Sequence, residues 1–287
     1  AGDRLAVGQT GNESGEGNPV RLFTFTDTDF GGGALALTID DGFQGLSPLP
    51  GAFGSGVALN AAGDRLAVGA SGDRGASGQN FGAGAVYLIG FSDSDFSDGQ
   101  LLAILGAGYS GGNNLDLPLD NFDEFGSAVA FDAAGTRLVV GAQGDAGVGN
   151  AVLYGGGVLV FDFADADFSG GQLVARLGQG YPDSPSLDLD AFDGFGSAVA
   201  LDQVTGRLAV GASGDDGTGN NLTDSGAVYL FGLAGGGDPA TGQTFAANPD
   251  TDVTITPASI TAILNVGTAL TLQANNDITV DQALVVN

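Results

Sequence analysis

Alternating small and large apolar residues predict short β-strands along this chain. The clearest begins at Phe125 and reads Phe-Gly-Ser-Ala-Val-Ala-Phe, and after the turn 132–135 the segment Arg137–Ala142 runs back. Alternation with period two around a glycine-containing turn is typical of a hairpin. Third and fourth strands are predicted over 157–163 and 172–177. No stretch has the 3.6-residue period of an amphipathic helix, so the pattern predicts an all-β fold.

This four-strand unit recurs along the chain. The Phe-Gly pair at Phe125 returns at Phe195, 70 residues on. Further copies of the four strands lie at 2–8, 20–24, 34–38, 53–59, 63–69, 85–89, 101–105, 195–201, 206–211 and 227–231. A repeat at a long fixed period indicates units that bury their apolar faces against copies of themselves. Four short strands per unit predict the blades of a β-propeller-like array.

The strand count predicts an incomplete array over residues 1–232. Reading along the chain gives three full sets of four strands and a partial one that ends near Phe231. A closed propeller needs about four to eight blades. A partial blade leaves an unpaired edge strand, and such an edge can pair with another chain. We therefore expect either that the chain is part of a longer array or that it self-associates through the repeat edges.

The repeated motifs resemble the FG-GAP repeat. Each unit has Phe-Gly, a hairpin, Val-Gly-Ala and then a strand such as the Gly-Ala-Val-Tyr-Leu-Phe at 226–231. The resemblance implies β-propellers like those of integrin α subunits and many bacterial surface proteins, and therefore an extracellular or cell-surface location. Two features depart from the family. The proline of Gly-Ala-Pro is replaced, and the family's Asp-rich calcium loop between the first two strands is reduced to short turns at 60–63 and 132–135.

The last part of the chain differs from the repeat. Residues 233–252, which begin with a glycine-rich stretch, are predicted to be a linker. Residues 253–287 contain short β-branched runs with Asn-rich corners, which are typical of β-helix coils. Within them, 271–280 resembles the repeats of filamentous haemagglutinin-type exoproteins. The alternative is a pair of hairpins that cap the propeller.

Composition excludes several classes of partner and site. The formal net charge is −27, which disfavours nucleic acid and anionic membranes as partners. No apolar run is long enough to cross a bilayer, so membrane insertion is not expected. The chain has no Cys and no His, which excludes disulfides, thiolate metal sites and the usual near-neutral proton carrier. The many Asp residues either favour divalent cations or simply keep a repetitive β protein soluble.

An Asp-x-Asp-Phe motif after the third strand is the main candidate metal site. Asp at alternate positions in a tight loop provides oxygen ligands that suit calcium. The predicted ligands are Asp27, Asp29, Asp93, Asp95, Asp98, Asp165 and Asp167. The alternative is an Asx-turn, in which each carboxylate accepts hydrogen bonds from nearby backbone N–H groups. The same two interpretations apply to a second acidic cluster, formed by Asp116, Asp120 and Asp123 and by Asp188, Asp190 and Asp193.

Two other residue types recur at fixed positions. An arginine opens each second strand, and we expect it to pair with an Asp within or between blades, in bidentate geometry where the positions allow. These arginines are Arg4, Arg65, Arg137 and Arg207. The repeated phenylalanines are predicted to form the core. Examples are Phe91, Phe96, Phe161 and Phe168.

The repetition argues against an enzyme. Catalysis needs one distinctive group of residues, whereas every unit here carries similar Asp residues. The sequence therefore predicts a non-enzymatic, secreted structural protein, part of a bacterial surface adhesin or extracellular filament, with calcium as a candidate cofactor. Its expected partners are copies of itself, other surface proteins or glycans. The alternative is a propeller module that binds a glycan or a protein through its loops.

Overall fold

The structure, a computed structural model, describes residues 3–9, 18–202, 207–217 and 223–232. These fall almost entirely in the first of two compact units, Ala1–Tyr229 and Leu230–Asn287. This part of the chain contains fifteen β-strands and two short 3-10 helices, Phe43–Gly45 and Val148–Asn150. None of its helices has the length and apolar character of a membrane span. The all-β prediction is confirmed, whereas the predicted linker 233–252 and segment 253–287 lie outside the described residues.

The strands form four sheets, which we call blades 1 to 4. Blade 1 contains β1 (Arg4–Val7), β2 (Val20–Thr24) and β3 (Ala34–Ile39). Blade 2 contains β4 (Phe53–Leu59), β5 (Arg65–Ala70), β6 (Ala85–Gly90), β7 (Gln100–Gly106) and β8 (Leu115–Asp116). Blade 3 contains β9 (Phe125–Phe131), β10 (Arg137–Ala142), β11 (Gly157–Asp162) and β12 (Gln172–Gly178). Blade 4 contains β13 (Phe195–Leu201), β14 (Arg207–Ala212) and β15 (Ala227–Gly232).

The strands of each blade are neighbours in chain order, and their pairing repeats from blade to blade. A register shift occurs at the same step of the third strand in three blades, between Leu22 and Phe23, Leu88 and Ile89, and Val160 and Phe161. The sequence count groups the strands in fours from the N-terminus, but the sheets divide them at other points. The reason is that β1 is the second strand of its unit. Blades 2 and 3 therefore contain all four strand types, and the described parts of blades 1 and 4 contain three each.

The predicted turn between the first two strands is formed by its polar side chain and its glycine. In blade 3, Asp132 Oδ1 accepts hydrogen bonds from the backbone N–H groups of Thr136 and Arg137, at 2.8 and 3.0 Å. Gly135 has φ of +76°, a conformation that glycine adopts readily. Asn60 accepts the matching bonds in blade 2. These local hydrogen bonds fix where each second strand begins, and the residue at its first position is the arginine.

The hydrophobic core lies between neighbouring blades. One cluster joins blades 1 and 2, and another joins blades 2 and 3. The four phenylalanines predicted to be core, Phe91, Phe96, Phe161 and Phe168, are all buried. The sequence places Phe91 and Phe161 at equivalent positions of the repeat, and the strand register corrects this, since the counterpart of Phe91 is Phe163. Each blade therefore depends on its neighbour to cover its apolar face.

The Phe-Gly pair joins one blade closely to the blade before it. Phe125 is fully buried and bridges to Gly84 of blade 2. Gly126 has φ of +93°, and its carbonyl oxygen lies directly against the Cα of Gly69. A Cβ atom on residue 69 would clash with this oxygen. The same contact joins Gly141 of blade 3 to Gly196 of blade 4. The repeated glycines of Phe-Gly and Val-Gly-Ala thus allow two backbones to meet.

Candidate functional site

The first aspartate of each Asp-x-Asp turn holds the turn together. Asp93 Oδ1 accepts hydrogen bonds from the backbone N–H groups of Asp95 and Ser97, at 2.9 and 3.1 Å. Asp165 Oδ1 accepts the same pair from Asp167 and Ser169, and Asp27 Oδ1 accepts from Asp29 and Gly31. The bonds from Ser97 lower the pKa of Asp93, because they favour the charged carboxylate. This geometry is that of an Asx-turn, which is the alternative to a metal site for this motif.

The second aspartate of the turn accepts an arginine from the preceding blade. Arg65 of blade 2 donates to the Ala166 carbonyl at 2.5 Å and to Asp167 Oδ1 at 2.9 Å. Arg4 of blade 1 makes the same contacts one blade earlier, to the Ser94 carbonyl and to Asp95 Oδ1 at 2.9 Å. The expectation that these arginines pair with an Asp is confirmed, and the pairs join consecutive blades.

Arg137 pairs within its own blade. Its guanidinium donates to both carboxylate oxygens of Asp162, at 2.6 and 2.8 Å, in the bidentate geometry expected from the sequence. The counterparts of Asp162 opposite Arg4 and Arg65 are Thr24 and Gly90, which offer no carboxylate. In the sequence, the residues that align with the Asp-x-Asp of a following turn are Gly235 and Gly237. Asp162 therefore replaces the acceptor that the next repeat lacks.

Hydrogen bonds and ion pairs already use at least one carboxylate oxygen of five of the predicted calcium ligands, Asp27, Asp93, Asp95, Asp165 and Asp167. Asp98 of the second turn accepts instead from the Ser92 hydroxyl, at 3.3 Å. Within residues 3–9, 18–202, 207–217 and 223–232, no three acidic side chains converge in a way that could hold a metal ion. The donor set of the turns does not fit a calcium ion as they stand, and calcium binding by this chain stays a prediction.

The second acidic cluster also caps its own loops. Asp123 Oδ2 accepts from the backbone N–H of Asp120 at 2.8 Å, and Asp193 accepts from Asp190 at 2.7 Å. Asp116 Oδ1 accepts from the Gly108 N–H at 2.6 Å. Asp123 and Asp193 are buried, which raises the pKa of both, to about 7 for Asp123.

Sequence reasoning missed a buried aspartate that accepts a tyrosine hydroxyl in three blades, from the third strand in blades 2 and 4 and from the loop after β12 in blade 3. Tyr181 donates to Asp145 Oδ2 at 2.8 Å, Tyr87 donates to Asp73 at 2.7 Å, and Tyr229 donates to Asp215 at 2.5 Å. Each of these aspartates also accepts the N–H of the glycine two residues later. The available signal was a Gly-Asp dipeptide after each Val-Gly-Ala, at 72–73, 144–145 and 214–215.

In blade 3 this pair adjoins a cavity of about 290 Å³. The polar residues that line it are Asp120, Asp123, Asp145, Asn150, Arg176 and Tyr181. Arg176 lies over the Tyr181 ring at 5.4 Å, and its buried Nε has no hydrogen-bond partner in the described part of the chain. The register places Ile104 of blade 2 and Thr38 of blade 1 at the same position. Arg176 therefore distinguishes this cavity from the rest of the repeat.

The cavity combines donors with acceptors. The burial of Asp123, together with the charges of Asp145 and Asp120, places its pKa near neutrality, so its carboxyl group is partly protonated at pH 7. Asp145 accepts the Tyr181 hydroxyl, and burial raises the pKa of Tyr181. Arg176 is the cation of the group. Such a polar surface suits a ligand that carries several hydroxyl groups or a positive charge.

Comparison with known proteins identifies part of the repeat. The FG-GAP repeat family matches residues 186–231, which include β13, β14 and all of β15 except its last residue. None of the curated proteins matches the chain. A solved structure of a luciferin-regenerating enzyme is 12% identical over 80% of this chain, with a TM-score of 0.32. This chain covers 62% of that protein, and the similarity is too low to carry an argument. The stretch that resembles haemagglutinin-type exoproteins lies outside the described residues.

Proposed function

We propose that the chain is a propeller-type structural module of a bacterial surface adhesin or extracellular filament, and that it self-associates through its terminal blades. The FG-GAP repeat at 186–231 supports the module type, because such repeats typically occur in extracellular or surface proteins with non-enzymatic roles. The observation that carries the proposal is the exposure of apolar positions at the two ends of the array, where the same positions in the inner blades are buried.

The contrast is largest on the third strands. Val158 and Val160 of blade 3 are 0% and 1% exposed, whereas their counterparts in blade 4, Val228 and Leu230, are 71% and 78% exposed. At the other end, Phe30 of blade 1 is 61% exposed, and its counterpart Phe168 is fully buried. Apolar surface in a contiguous patch commonly marks an interaction site. Covering it would remove the same kind of surface from water as the inner interfaces do.

Sedimentation velocity of the chain over a range of concentrations tests the proposal. We expect species larger than a monomer at micromolar concentrations, and more association as salt screens the net charge of −27. Val228→Asp should weaken association at least tenfold, because it places a carboxylate in the apolar face. The control is Val174→Asp, which makes the same change at an exposed valine on β12. A wild-type chain that stays monomeric in every condition would overturn the proposal.

A ligand-binding module is the second candidate, and the cavity beside Arg176 favours it. Blade 3 differs from blade 2 at several lining positions, with Arg176 in place of Ile104 and Val148–Asn150 in place of residues 76–78. Such local differences can give a repeat protein one specific site. Titration calorimetry against neutral and amino sugars tests this function. We expect binding by the wild type and its loss in Arg176→Ile, the variant that restores the residue of blade 2. Equal heats from both proteins would remove the candidate.

A further inference from the structure

We infer that the two ends of the array bind each other head to tail, so that blade 4 of one copy packs on blade 1 of a second copy in the register of the inner blades. In this register Arg207 donates to the carboxylate of Asp29. The inference rests on the proposed self-association, and it specifies the partner and the residues that make the contact.

The contact to be reproduced occurs twice within the chain. Arg4 reaches the turn of blade 2, and Arg65 reaches the turn of blade 3, each with one bond to a carbonyl and one to the second aspartate. The arginine side chains are 12% and 14% exposed in these pairs. The same arrangement at two successive junctions indicates that the repeat itself sets the register.

Blade 1 carries the acceptor half of this contact. Asp27 holds its turn with bonds of 3.0 and 2.7 Å, which match those of Asp93 and Asp165. Asp29 therefore occupies the position of Asp95 and Asp167. All seven arginines lie in the described ranges, and none forms an ion pair with Asp29. The acceptor is exposed and in the right conformation.

Blade 4 carries the donor half. Arg207 begins β14 as Arg65 begins β5, and its side chain is exposed. The repeat aligns Gly232 with Gly90, so the third strand beside Arg207 offers no carboxylate of the kind that Asp162 provides to Arg137. Arg207 thus has the position of Arg65 in its blade, and no turn among the described residues covers it as the turn of blade 3 covers Arg65.

The apolar parts of the two ends also match. In the inner blades, Val86 and Leu88 share a core cluster with Phe168 of the next blade, as Val20 and Leu22 do with Phe96. Val228 stands where Val86 stands, and Phe30 stands where Phe168 stands. The two halves of one interface therefore lie on opposite ends of the four described blades, and a second copy supplies both.

The charge of the chain limits how two copies can meet. At −27 each, two copies repel one another overall, and a local Arg–Asp pair favours one orientation over the others. A head-to-tail contact uses different surfaces on the two copies. It therefore produces a ring if the rotation closes and a filament if it does not.

Charge reversal tests the register. Asp29→Arg and Arg207→Asp should each raise the dissociation constant for self-association at least tenfold, because each places like charges at the contact. An equimolar mixture of the two variants should associate as the wild type does, since the ends of the two proteins are complementary. Sedimentation velocity of each variant and of the mixture measures both effects.

Two controls separate the contact from the change in overall charge. Asp183→Arg and Arg74→Asp make the same changes at other exposed positions, and they should leave the dissociation constant within twofold of the wild type. A wild type that stays monomeric would overturn both the proposed self-association and the head-to-tail register. If the wild type associates but either reversal has no effect, or the mixture fails to recover, this register is wrong and self-association by another surface stands.

Discussion

Phe30 and Phe168 occupy the same position of the repeat in two different surroundings. Each follows an Asp-x-Asp turn and packs edge-on against a second phenylalanine, Phe25 in blade 1 and Phe163 in blade 3. Blade 2 covers Phe168, whereas Phe30 is exposed. Local sequence therefore determines the conformation of the turn and the ring pair, and the neighbouring blade determines whether they contribute to a core.

The largest test of this contrast is truncation of the two rings. Phe168→Ala should lower the free energy of unfolding by about 4 kcal/mol, since it leaves a cavity in the interface of blades 2 and 3. Phe30→Ala should change it by less than about 1 kcal/mol in the monomer, because the ring is mostly in water. Denaturant unfolding at a dilute, monomeric concentration measures both. Similar decreases in the free energy of unfolding for the two variants would contradict the view that the inner interfaces stabilise the fold.

Two glycines of the second strands provide a similar comparison. Gly141→Ala should destabilise the fold by about 3 kcal/mol, because the new Cβ meets the Gly196 carbonyl of blade 4. At Gly211 the nearest atom to a Cβ is Ala198 Cβ of the same blade, at 3.3 Å. Gly211→Ala should therefore cost well under half as much. Thermal unfolding of the two variants gives the comparison, and equal shifts would refute it.

The buried carboxyl of Asp123 gives the inner region a dependence on pH. Its pKa is about 7 in the folded chain and about 3.9 when unfolded, so its stabilising effect is complete below pH 4 and is lost as pH rises through 7. From pH 5 to 6.5, wild type should lose about 2 kcal/mol relative to Asp123→Asn. Asp183→Asn, at an exposed position, serves as the control and should track the wild type. Parallel curves for wild type and Asp123→Asn would show that Asp123 is not buried as described.

The smallest expected difference concerns the arginines. Arg65→Ala should lower stability by about 1 kcal/mol, since its partner Asp167 is largely exposed and the pair is screened. Arg207→Ala should have almost no effect on the monomer, because its side chain is exposed and no turn in the described part of the chain covers it. Urea unfolding at low and high salt checks both, and the effect of Arg65→Ala should shrink as salt is added.

Much of the fold could be predicted from the sequence because the determinants are local. Alternation, turn glycines and the recurring Arg-Leu-x-Val-Gly placed every strand of the four blades except β8. The Asp–Tyr pairs and the cavity could not be predicted, because Asp145 and Tyr181 are 36 residues apart and meet only when the blade forms. The partner of each arginine could be predicted only in part. The sequence indicates an Asp within or between blades, and the spacing of the blades in the fold determines which Asp it is.

The location of the core between sheets has a consequence for how the molecule comes apart. Among the four described blades, each outer blade shares one interface and each inner blade shares two, so opening should begin at the outer strands and proceed inward. Amides of β1 and β15 should then exchange with deuterium sooner than those of β10, in a gradient that follows position in the stack and not strand length.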